Sequence, residues 1–394
     1  MTVKHPTIAL TGATGFLGSH LMAALLEKGH RVIVLGRSSR DATLSQRIAG
    51  LLKWFDKENL TDRLEMADID LSKARLGLGL SKYNKLCQEV EQIIHCASDT
   101  SFTEGKREQV FESNILGLKN ILAFASDARV QFFHYISTAF ACGQDEPICL
   151  EQLPQANDFL NVYEESKAQA EKEIAQFCDR QSLAYTIIRP TIVYGDSRTG
   201  RSLKFNALYY PLRSLMAIRD IYINDLQNNG GKRSKAHGIY LDEEGYLFLP
   251  LKIVLPKSGG LNLIPVNYFV EATLRIIKNA HPGGIYHLSN TAPVKMETVI
   301  SFSKQFMKMK GVEMAYAISP QNNHRNPAEE LFDRFVKAYL PYMHDNRQFD
   351  RTNTDAATSH LQPPAFTNAV FNRCMDYAVA VEWGDKLKQY GALT

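Results

Sequence analysis

The chain has 394 residues, of which 45% are hydrophobic and 22% charged, so it has the composition and length of a globular protein with a large buried core. Its 45 basic residues nearly balance its 42 acidic residues, and a formal net charge of +3 argues against a nucleic-acid-binding surface as the main function. No stretch is apolar enough over a sufficient length to predict a transmembrane segment.

The cysteines and the N-terminus bear on the cellular compartment. No C-x-x-C pair occurs, so we expect reduced thiols and no metal site. The N-terminus lacks the hydrophobic segment of a secretion signal, and we expect a cytoplasmic protein. The oligomeric state is not determined by these features. The six cysteines are Cys87, Cys96, Cys142, Cys149, Cys178 and Cys374.

Short apolar runs alternate with helical patterns over the first 195 residues. Strands are predicted at 7–10, 31–35, 64–66, 91–95, 131–136 and 184–188. Helices are predicted at 18–28, 43–55, 80–89, 105–127 and 161–180. Nearly continuous apolar strands separated by helices predict a parallel sheet covered on both faces. The fold class is therefore α/β, a Rossmann-type doubly wound sheet.

The pattern is less regular in the second half of the chain. Residues 203–223 predict an amphipathic helix on the substrate side, and 225–238 an exposed loop. Strands at 261–266 and 284–288 are expected to return to the sheet, with a helix at 268–279 between them. Further helices are predicted at 297–312, at 327–340 and within 363–390. We predict one large domain over 1–195 plus about 261–290, and a smaller, mainly C-terminal region over 196–260 and 291–394.

A glycine-rich loop follows the first predicted strand and precedes a helix. One glycine permits the tight turn, one lets the backbone approach a pyrophosphate, and one lets helix and strand pack closely. The helix N-terminus then offers free N–H groups to the phosphates. The loop therefore predicts a dinucleotide site in the larger domain, the alternative being a structural turn without a ligand. The predicted contacts are Gly12, Thr14, Gly15, Phe16, Leu17 and Gly18.

Arg37 stands at the end of the second predicted strand, where NAD-binding sites usually carry an acidic residue for the ribose hydroxyls. A guanidinium suits a 2′-phosphate, so we expect NADPH (NADP) rather than NADH. The alternative is a solvated surface arginine. Asp68 could accept a hydrogen bond from the adenine amino group, or could be a turn carboxylate. Further cofactor contacts are expected at the strand ends, at Ile69, Cys96, Ala97 and Ser98.

Tyr163 and Lys167 form a Y-x-x-x-K pair in a predicted helix, and their spacing puts both side chains on one face. A nearby ammonium is expected to lower the tyrosine pKa from about 10. The tyrosine could then exchange a proton with a carbonyl or alcohol oxygen during hydride transfer, and the lysine could hold the nicotinamide ribose. A hydroxyl at the end of the fifth strand could bind the same oxygen, with Thr138 the first choice and Ser137 the second. The alternative is an ordinary amphipathic helix beside a strand end.

In this order the motifs resemble the extended short-chain dehydrogenase/reductase family, over residues 7 to about 290. The resemblance implies that Thr138, Tyr163 and Lys167 are the catalytic triad. It also implies that Asn114 supports the active-site helix or a water, and that Pro190 and Ile192 lie beside the nicotinamide. The resemblance rests on the glycine loop, His95-Cys-Ala, Asn114-Ile-Leu-Gly117, Ser137-Thr138, Tyr163…Lys167 and Arg189-Pro190.

Three stretches, at 68–80, 136–140 and 193–200, more closely resemble the thioester-reductase and fatty acyl-CoA reductase branch. That resemblance implies NADPH-dependent reduction of an acyl thioester, held on coenzyme A or an acyl-carrier protein, to aldehyde or alcohol. Residues 349–354 are expected to close the substrate site. The alternatives are an NADP-dependent oxidoreductase of a ketone or secondary alcohol on a lipid, polyketide or steroid-like molecule, a nucleotide-sugar epimerase or dehydratase, and a non-enzymatic scaffold. Arg37 argues against the sugar enzymes, which hold NAD tightly.

Overall fold

The computed structural model describes residues 5–144, 147–316 and 325–390. The start of the N-terminus on which the expected absence of a secretion signal rests, residues 1–4, lies outside the described residues, as do 317–324 and 391–394 of the predicted C-terminal region. The strands in chain order are β1 Ile8–Thr11, β2 Val32–Gly36, β3 Leu64–Asp68, β4 Gln92–His95, β5 Phe132–Ile136, β6 Ile148–Cys149, β7 Tyr185–Pro190, β8 Ile192–Tyr194, β9 Tyr240–Leu241, β10 Leu247–Leu255, β11 Gly260–Leu261, β12 Leu263–Pro265, β13 Gly284–Leu288, β14 Val294–Lys295, β15 Met309–Tyr316 and β16 Gln348–Phe349.

The helices surround these strands and supply the walls of the site. The α-helices in chain order are α1 Phe16–Glu27, α2 Leu44–Trp54, α3 Leu80–Glu89, α4 Arg107–Phe111, α5 Gly117–Asp127, α6 Val162–Gln181, α7 Tyr209–Asn228, α8 Lys232–Ala236, α9 Val266–Lys278, α10 Met296–Phe306, α11 Pro327–Val336, α12 Leu340–Met343, α13 Thr352–Thr358 and α14 Asn368–Ala380. Short 3-10 helices lie at Glu58–Arg63, Ala74–Gly77, Glu104–Lys106, Ala139–Cys142 and Glu382–Tyr390, and a π-helical turn at Glu112–Leu116.

Seven strands form the central sheet, in the order β3-β2-β1-β4-β5-β7-β13, and every neighbouring pair is parallel. The central strands are apolar and buried on both faces, as Ile8, Ala9 and Leu10 of β1 illustrate. The strand order reverses between β1 and β4, and in such sheets a ligand crevice lies at that point, at the carboxyl ends of the strands. The predicted doubly wound α/β fold is confirmed.

The segment at 261–266 does not return to the central sheet, contrary to prediction. β12 instead pairs in parallel with β8, the short strand that follows β7. The edge position beside β7 is taken by β13, whose Leu288 carbonyl accepts from the Thr191 backbone N–H. The outer edge of β7 is therefore already paired and cannot accept β12.

Two other segments of the second half differ from prediction. Residues 225–238 are not a simple loop, because α7 extends to Asn228 and α8 follows, tied down by Ser234, whose hydroxyl lies 2.6 Å from an Asp225 carboxylate oxygen. The predicted helix at 297–312 ends at Phe306, and the chain continues as β15. Lys308 and Gly311 have positive φ angles of 50° and 80°, which a continuing right-handed helix excludes. β15 pairs in parallel with β10 instead.

Residues 142 and 149 also correct an expectation. Cys142 and Cys149 form a disulfide, with Cα atoms 5.8 Å apart, whereas all six cysteines were expected to be reduced. Cys142 ends a 3-10 helix, and Cys149 lies in β6, which pairs with β16 from the C-terminal part of the chain. The two cysteines are seven residues apart in sequence, a spacing that did not predict a bond.

A second layer of structure covers the crevice. β10 alternates buried and partly exposed residues, as a strand with one face on a core does, and it lies between β15 and β9 in a three-stranded sheet. Helices α7 and α11 pack against each other beside it. These elements come from the predicted smaller region, and the division into two regions stays a prediction. Within the described residues, no helix combines the length and the apolar character needed to cross a bilayer.

Candidate active site

The glycine loop forms a close-packed cradle at the carboxyl end of β1. Gly12 has a φ of +71°, and a Cβ added there would lie 2.6 Å from the Ala97 backbone nitrogen. A Cβ on Gly18 would collide with the Gly12 carbonyl oxygen. α1 begins directly after Gly15, which provides no side-chain cap, so the first N–H groups of the helix remain available to an anion.

Thr11 joins the two strand ends that border the crevice. Its hydroxyl oxygen accepts hydrogen bonds from the backbone N–H groups of Cys96 (3.1 Å) and Ala97 (3.2 Å). The same oxygen lies 2.8 Å from His95 Nδ1. Burial lowers the pKa of His95 to about 3, so this histidine is neutral. These contacts fix the end of β4 against the end of β1 beside the crevice.

Arg37 is exposed at the end of β2, and its carbonyl accepts from the guanidinium of Arg47 at 3.1 Å. The neighbouring β3 ends at Asp68, which lies opposite Gly36 in the sheet. Both carboxylate oxygens of Asp68 accept from Ser38, through its backbone N–H at 3.3 Å and through its hydroxyl. Asp68 thus orders the loop that carries Arg37, and its contact with a cofactor stays a prediction.

Helix α6 carries the predicted catalytic pair. It begins after Asn161, whose side-chain oxygen accepts from the Glu164 backbone N–H at 3.1 Å. Tyr163 is half-buried and borders the cavity, whereas Lys167 is buried. The Lys167 ammonium donates to the Ile136 carbonyl at 2.6 Å, which ties α6 to the end of β5. It also lies 4.1 Å from the centre of the Tyr135 ring.

Ser137 and Thr138 have different environments at the end of β5. The Ser137 hydroxyl donates to Glu171 at 2.5 Å in the buried core. Glu171 in turn forms a fully buried ion pair with Arg189, at 2.5 Å. Both residues border the cavity, but among the described residues the Thr138 hydroxyl oxygen has one contact, a long one accepted from the Phe140 N–H at 3.4 Å. The Thr138 hydroxyl proton is therefore available to a bound molecule, whereas that of Ser137 is committed.

Burial, rather than the neighbouring lysine, dominates the ionisation of Tyr163. It raises the tyrosine pKa well above the usual value, with Cys96 and Glu164 acting in the same direction. Burial also lowers the pKa of Lys167 to about 7, although Glu171 opposes that change. The expected lowering of the tyrosine pKa by Lys167 is thus not found. Tyr163 is a neutral phenol in this structure and can donate its proton.

Asn114 joins three parts of the site from the π-helical turn between α4 and α5. Its side-chain oxygen accepts from the Asp99 N–H at 2.8 Å and from the Ser98 hydroxyl at 3.1 Å. Its amide group donates to the Asp99 carbonyl at 3.0 Å and to the Ser166 hydroxyl at 2.9 Å. The helix predicted at 105–127 is interrupted here, and the wider π turn places this amide toward α6. Asn114 therefore supports the active-site helix.

One cavity of about 630 Å³ brings most of the predicted residues together. Five predicted residues do not border it: Thr14, Arg37, Asp68, Ile69 and Ala97. Ile69 is buried beyond β3, and Ala97 packs against Gly12. The predicted residues that do border the cavity are Gly12, Gly15, Phe16, Leu17, Gly18, Cys96, Ser98, Ser137, Thr138, Tyr163, Lys167, Pro190 and Ile192.

An aromatic wall that was not predicted completes the cavity. Its residues come from four separate parts of the chain: the loop after β4, the segment after β5, α7 and the segment around α12. No local sequence pattern therefore predicts it. Lys204 also borders the cavity. The segment at 349–354 does not, contrary to prediction, because Phe349 packs behind Phe140 with ring centres 5.9 Å apart. The residues of the aromatic wall are Phe102, Phe140, Tyr210, Tyr339 and Tyr342.

A buried carboxylate connects this wall to the active-site helix. The Tyr342 hydroxyl donates to Glu164, the residue after Tyr163, and accepts from the Asn161 amide at 2.7 Å. The second Glu164 oxygen accepts from the Leu160 N–H at 3.2 Å. Burial raises the pKa of Glu164 to about 7. The N-terminus of α6 and the aromatic wall are thus held by one shared group.

The chain is similar in sequence to parts of several much longer curated proteins. The chain is 30% identical over 198 residues to "NRPS-like oxidoreductase fscA" of Fusarium equiseti, covering 48% of this chain and 18% of that protein. It is 26% identical over 387 residues to "Citrinin polyketide synthase" of Monascus ruber, covering 90% of this chain and 13% of that protein. "Aldehyde reductase lnbA" of Aspergillus flavus is 28% identical over 211 residues, which is 49% of this chain and 20% of that protein. The chain thus spans a fifth or less of the length of these relatives.

Solved structures share the fold at low sequence identity. The terminal R domain from the myxalamid PKS-NRPS pathway superposes with a TM-score of 0.73 at 23% identity, covering 97% of this chain and 92% of that one. A thiolation-reductase di-domain from an archaeal non-ribosomal peptide synthetase gives a TM-score of 0.70 at 16% identity, covering 97% and 77%. UDP-glucose 4-epimerase of Thermotoga maritima gives 0.60 at 15% identity, covering 95% and 99%.

A family model covers most of the chain. The matched residues are 10–273, which include the glycine loop, both strand ends of the crevice and the whole of α6. The match therefore spans the cradle and the predicted catalytic residues together. The chain belongs to the NAD-binding family described as Male sterility protein.

Proposed function

We propose that the protein is an NADPH-dependent reductase of acyl thioesters, which converts the acyl group to an aldehyde or an alcohol. The observation that carries this proposal is the single cavity shared by the glycine cradle, by Thr138 and Tyr163, and by a large apolar wall. The arrangement offers a dinucleotide site and two hydroxyl donors beside room for an acyl group. The printed names of the relatives, which include an oxidoreductase and an aldehyde reductase, support the same class of reaction.

The cradle suits a dinucleotide because its shape depends on missing side chains. A Cβ at Gly12 or Gly18 would fill the space against the backbone, and the uncapped N-terminus of α1 faces the same space. When bound there, a nicotinamide dinucleotide supplies a hydride. We propose NADPH rather than NADH because Arg37, at the end of β2, offers a guanidinium where a ribose-binding carboxylate would otherwise stand.

Thr138 and Tyr163 would act on the carbonyl oxygen of the thioester. As the carbonyl carbon gains the hydride, its oxygen becomes negatively charged, and both hydroxyls can donate hydrogen bonds to it. The C–S bond then breaks, the carbonyl reforms as an aldehyde, and the sulfur leaves as a thiolate that takes up one proton. In a second round with another hydride, Tyr163 would donate its proton to the aldehyde oxygen to give an alcohol.

Lys167 and Asn114 would position these groups. The ammonium uses one donor on the Ile136 carbonyl, which leaves two N–H donors for the hydroxyls of a bound ribose. Asn114 has all of its hydrogen-bonding capacity engaged by the Ser98–Asp99 segment and by Ser166, so it acts on α6 and touches no substrate. We propose that the acyl group is carried on coenzyme A or on an acyl-carrier protein. The thiolation domain joined to the reductase in the archaeal structure favours the carrier.

The test is turnover by the purified protein with NADPH and a panel of carbonyl compounds. The panel pairs each acyl group as a coenzyme A thioester, as a carrier-bound thioester and as the corresponding methyl ketone. Oxidation of NADPH, release of free thiol and formation of aldehyde are measured in parallel. We expect the thiol released from the thioesters to equal the sum of the aldehyde and the alcohol formed, with one NADPH oxidised per aldehyde and two per alcohol. Turnover of ketones without turnover of any thioester would overturn the proposal.

A tyrosine pair provides the matched control. Tyr163→Phe removes the cavity hydroxyl, and we expect a large loss of kcat. Tyr240→Phe makes the same change on an exposed tyrosine of β9, outside the cavity, and should leave kcat within about two-fold, as surface substitutions usually do. Equal activities of the two variants would remove Tyr163 from the chemistry.

A further inference from the structure

Lys204 is a positive charge on the wall of an otherwise largely apolar cavity. Its side chain is exposed to the cavity, and its ammonium lies 3.5 Å from the Thr100 hydroxyl. Among the residues that the structure describes, no carboxylate lies within ion-pair distance of it. The acidic group that acts on it is Asp99, whose two oxygens already accept from the Ser101 N–H and the Gln109 amide, each at 2.9 Å. Burial lowers the pKa of Lys204, and Asp99 opposes the change without forming an ion pair.

The wall in the same cavity is a chain of aromatic rings. Phe102 lies 6.1 Å from Tyr163, 5.8 Å from Tyr342 and 6.1 Å from Tyr339, measured between ring centres. The series continues from Tyr339 to Tyr210 at 5.3 Å. Flat conjugated groups pack well against such rings, in stacked or edge-to-face arrangements. A saturated alkyl chain gains only the burial of its surface.

Resting on the proposed thioester reduction, we propose that Lys204 selects acyl groups that are flat and conjugated and that carry an oxygen substituent away from the thioester carbon. The ammonium would donate to that carbonyl, hydroxyl or phenolate oxygen while the rings hold the plane of the acyl group. An acyl group without the oxygen would leave the ammonium partly desolvated, with no acceptor beyond the long contact to the Thr100 hydroxyl, which is unfavourable. A site built around one polar contact discriminates well against analogues that lack it.

The selectivity should be visible in a series of matched thioesters. We would compare benzoyl, the three hydroxybenzoyl isomers and octanoyl groups, all carried on the same pantetheine thiol. Wild-type kcat/KM should be about 10-fold to 100-fold higher for one hydroxybenzoyl isomer than for benzoyl, the range expected for one hydrogen bond to a charged group. Lys204→Met should abolish this ratio, and Lys204→Arg should restore part of it. Lys106→Met, at an exposed lysine outside the cavity, is the matched control.

A binding measurement separates this inference from the proposed function. Calorimetry would give the affinities of hydroxybenzaldehydes and benzaldehyde, without turnover, for the wild type and the Lys204→Met variant. If no thioester is reduced but the hydroxyl preference in binding depends on Lys204, the reductase proposal fails and the selectivity stands. If thioesters are reduced with the same ratio in both proteins, the selectivity is overturned. A Lys204→Met variant that only raises KM for NADPH, equally with every acyl group, would assign the lysine to a cofactor phosphate and also overturn it.

Discussion

Replacing Glu164 by glutamine tests the buried carboxylate that joins the active-site helix to the aromatic wall. Glu164 is fully buried, and its pKa is raised to about 7 from 4.5, chiefly by burial, with Tyr342 and Arg347 opposing the rise and Asp345 adding to it. The folded state therefore holds a proton over a pH range in which the unfolded state has released it. A gap of about 2.5 pH units corresponds to about 3 kcal/mol of stability, present at low pH and lost as pH rises toward and through 7.

Glutamine has no proton to lose, so the variant should escape this penalty. Its single amide oxygen can accept from the Tyr342 hydroxyl or from the Leu160 N–H but not from both, and its NH2 group cannot accept at all, which costs about 1 kcal/mol. We expect Glu164→Gln to be about 1 kcal/mol less stable than the wild type near pH 4.5 and about 2 kcal/mol more stable at pH 8. Urea unfolding of both proteins across this pH range gives the two curves.

The neighbouring carboxylate supplies the control. Glu165 pairs with Arg107 at the surface, and Glu165→Gln should change stability by less than about 1 kcal/mol at either pH. A difference between the wild type and Glu164→Gln that stays constant within about 1 kcal/mol from pH 4.5 to pH 8 would refute the reasoning, since it would mean that Glu164 ionises alike in the folded and unfolded chain.

Four other substitutions test the site. Thr138→Ala should lower kcat by about 100-fold to 1,000-fold through loss of a donor to the oxyanion. Ser137→Ala should instead mainly lower the free energy of unfolding, by about 1–3 kcal/mol. Similar kcat values for the two variants would refute the assignment of a catalytic role to Thr138 and a structural role to Ser137. Arg37→Ala should raise KM for NADPH by about 10-fold to 100-fold and leave KM for NADH nearly unchanged, and an equal effect on both cofactors would contradict the 2′-phosphate contact. Gly18→Ala should abolish dinucleotide binding in calorimetry, because the new methyl group collides with the Gly12 carbonyl oxygen; an unchanged Kd would show that the cradle is not the cofactor site.

The parts of the site that follow local rules could be predicted from the sequence. The glycine loop could be predicted because its strand, turn and helix all lie within 20 residues of sequence. The common face of Tyr163 and Lys167 could be predicted because it follows from their helical spacing. The sequence placed Thr138 before Ser137, but the difference between their environments could not be predicted in this way. It depends on Glu171 and Arg189, which reach the end of β5 from α6 and β7.

The parts that depend on long-range packing could not be predicted. The aromatic wall includes Phe102 and Tyr339, which meet across more than 200 residues of sequence. β15 has a helix-compatible composition, and only its pairing with β10 makes it a strand. The Tyr163 pKa was expected to fall because Lys167 belongs to the same sequence motif. Burial by other parts of the chain raises this pKa instead, and the motif contains no sign of that burial.

The position of β13 at the edge of the central sheet has a consequence for biosynthesis. The synthesis of β7 is complete at residue 190, whereas β13, the strand that pairs with its outer edge, begins only at residue 284. At ribosomal rates of about 5–20 residues per second, the intervening segment takes roughly 5–20 s to emerge. During that time β7 would present a row of unpaired backbone groups on an apolar strand, the kind of edge that recruits strands from other chains. Nascent chains stalled or truncated in this interval should be the species most prone to aggregation and most dependent on chaperones.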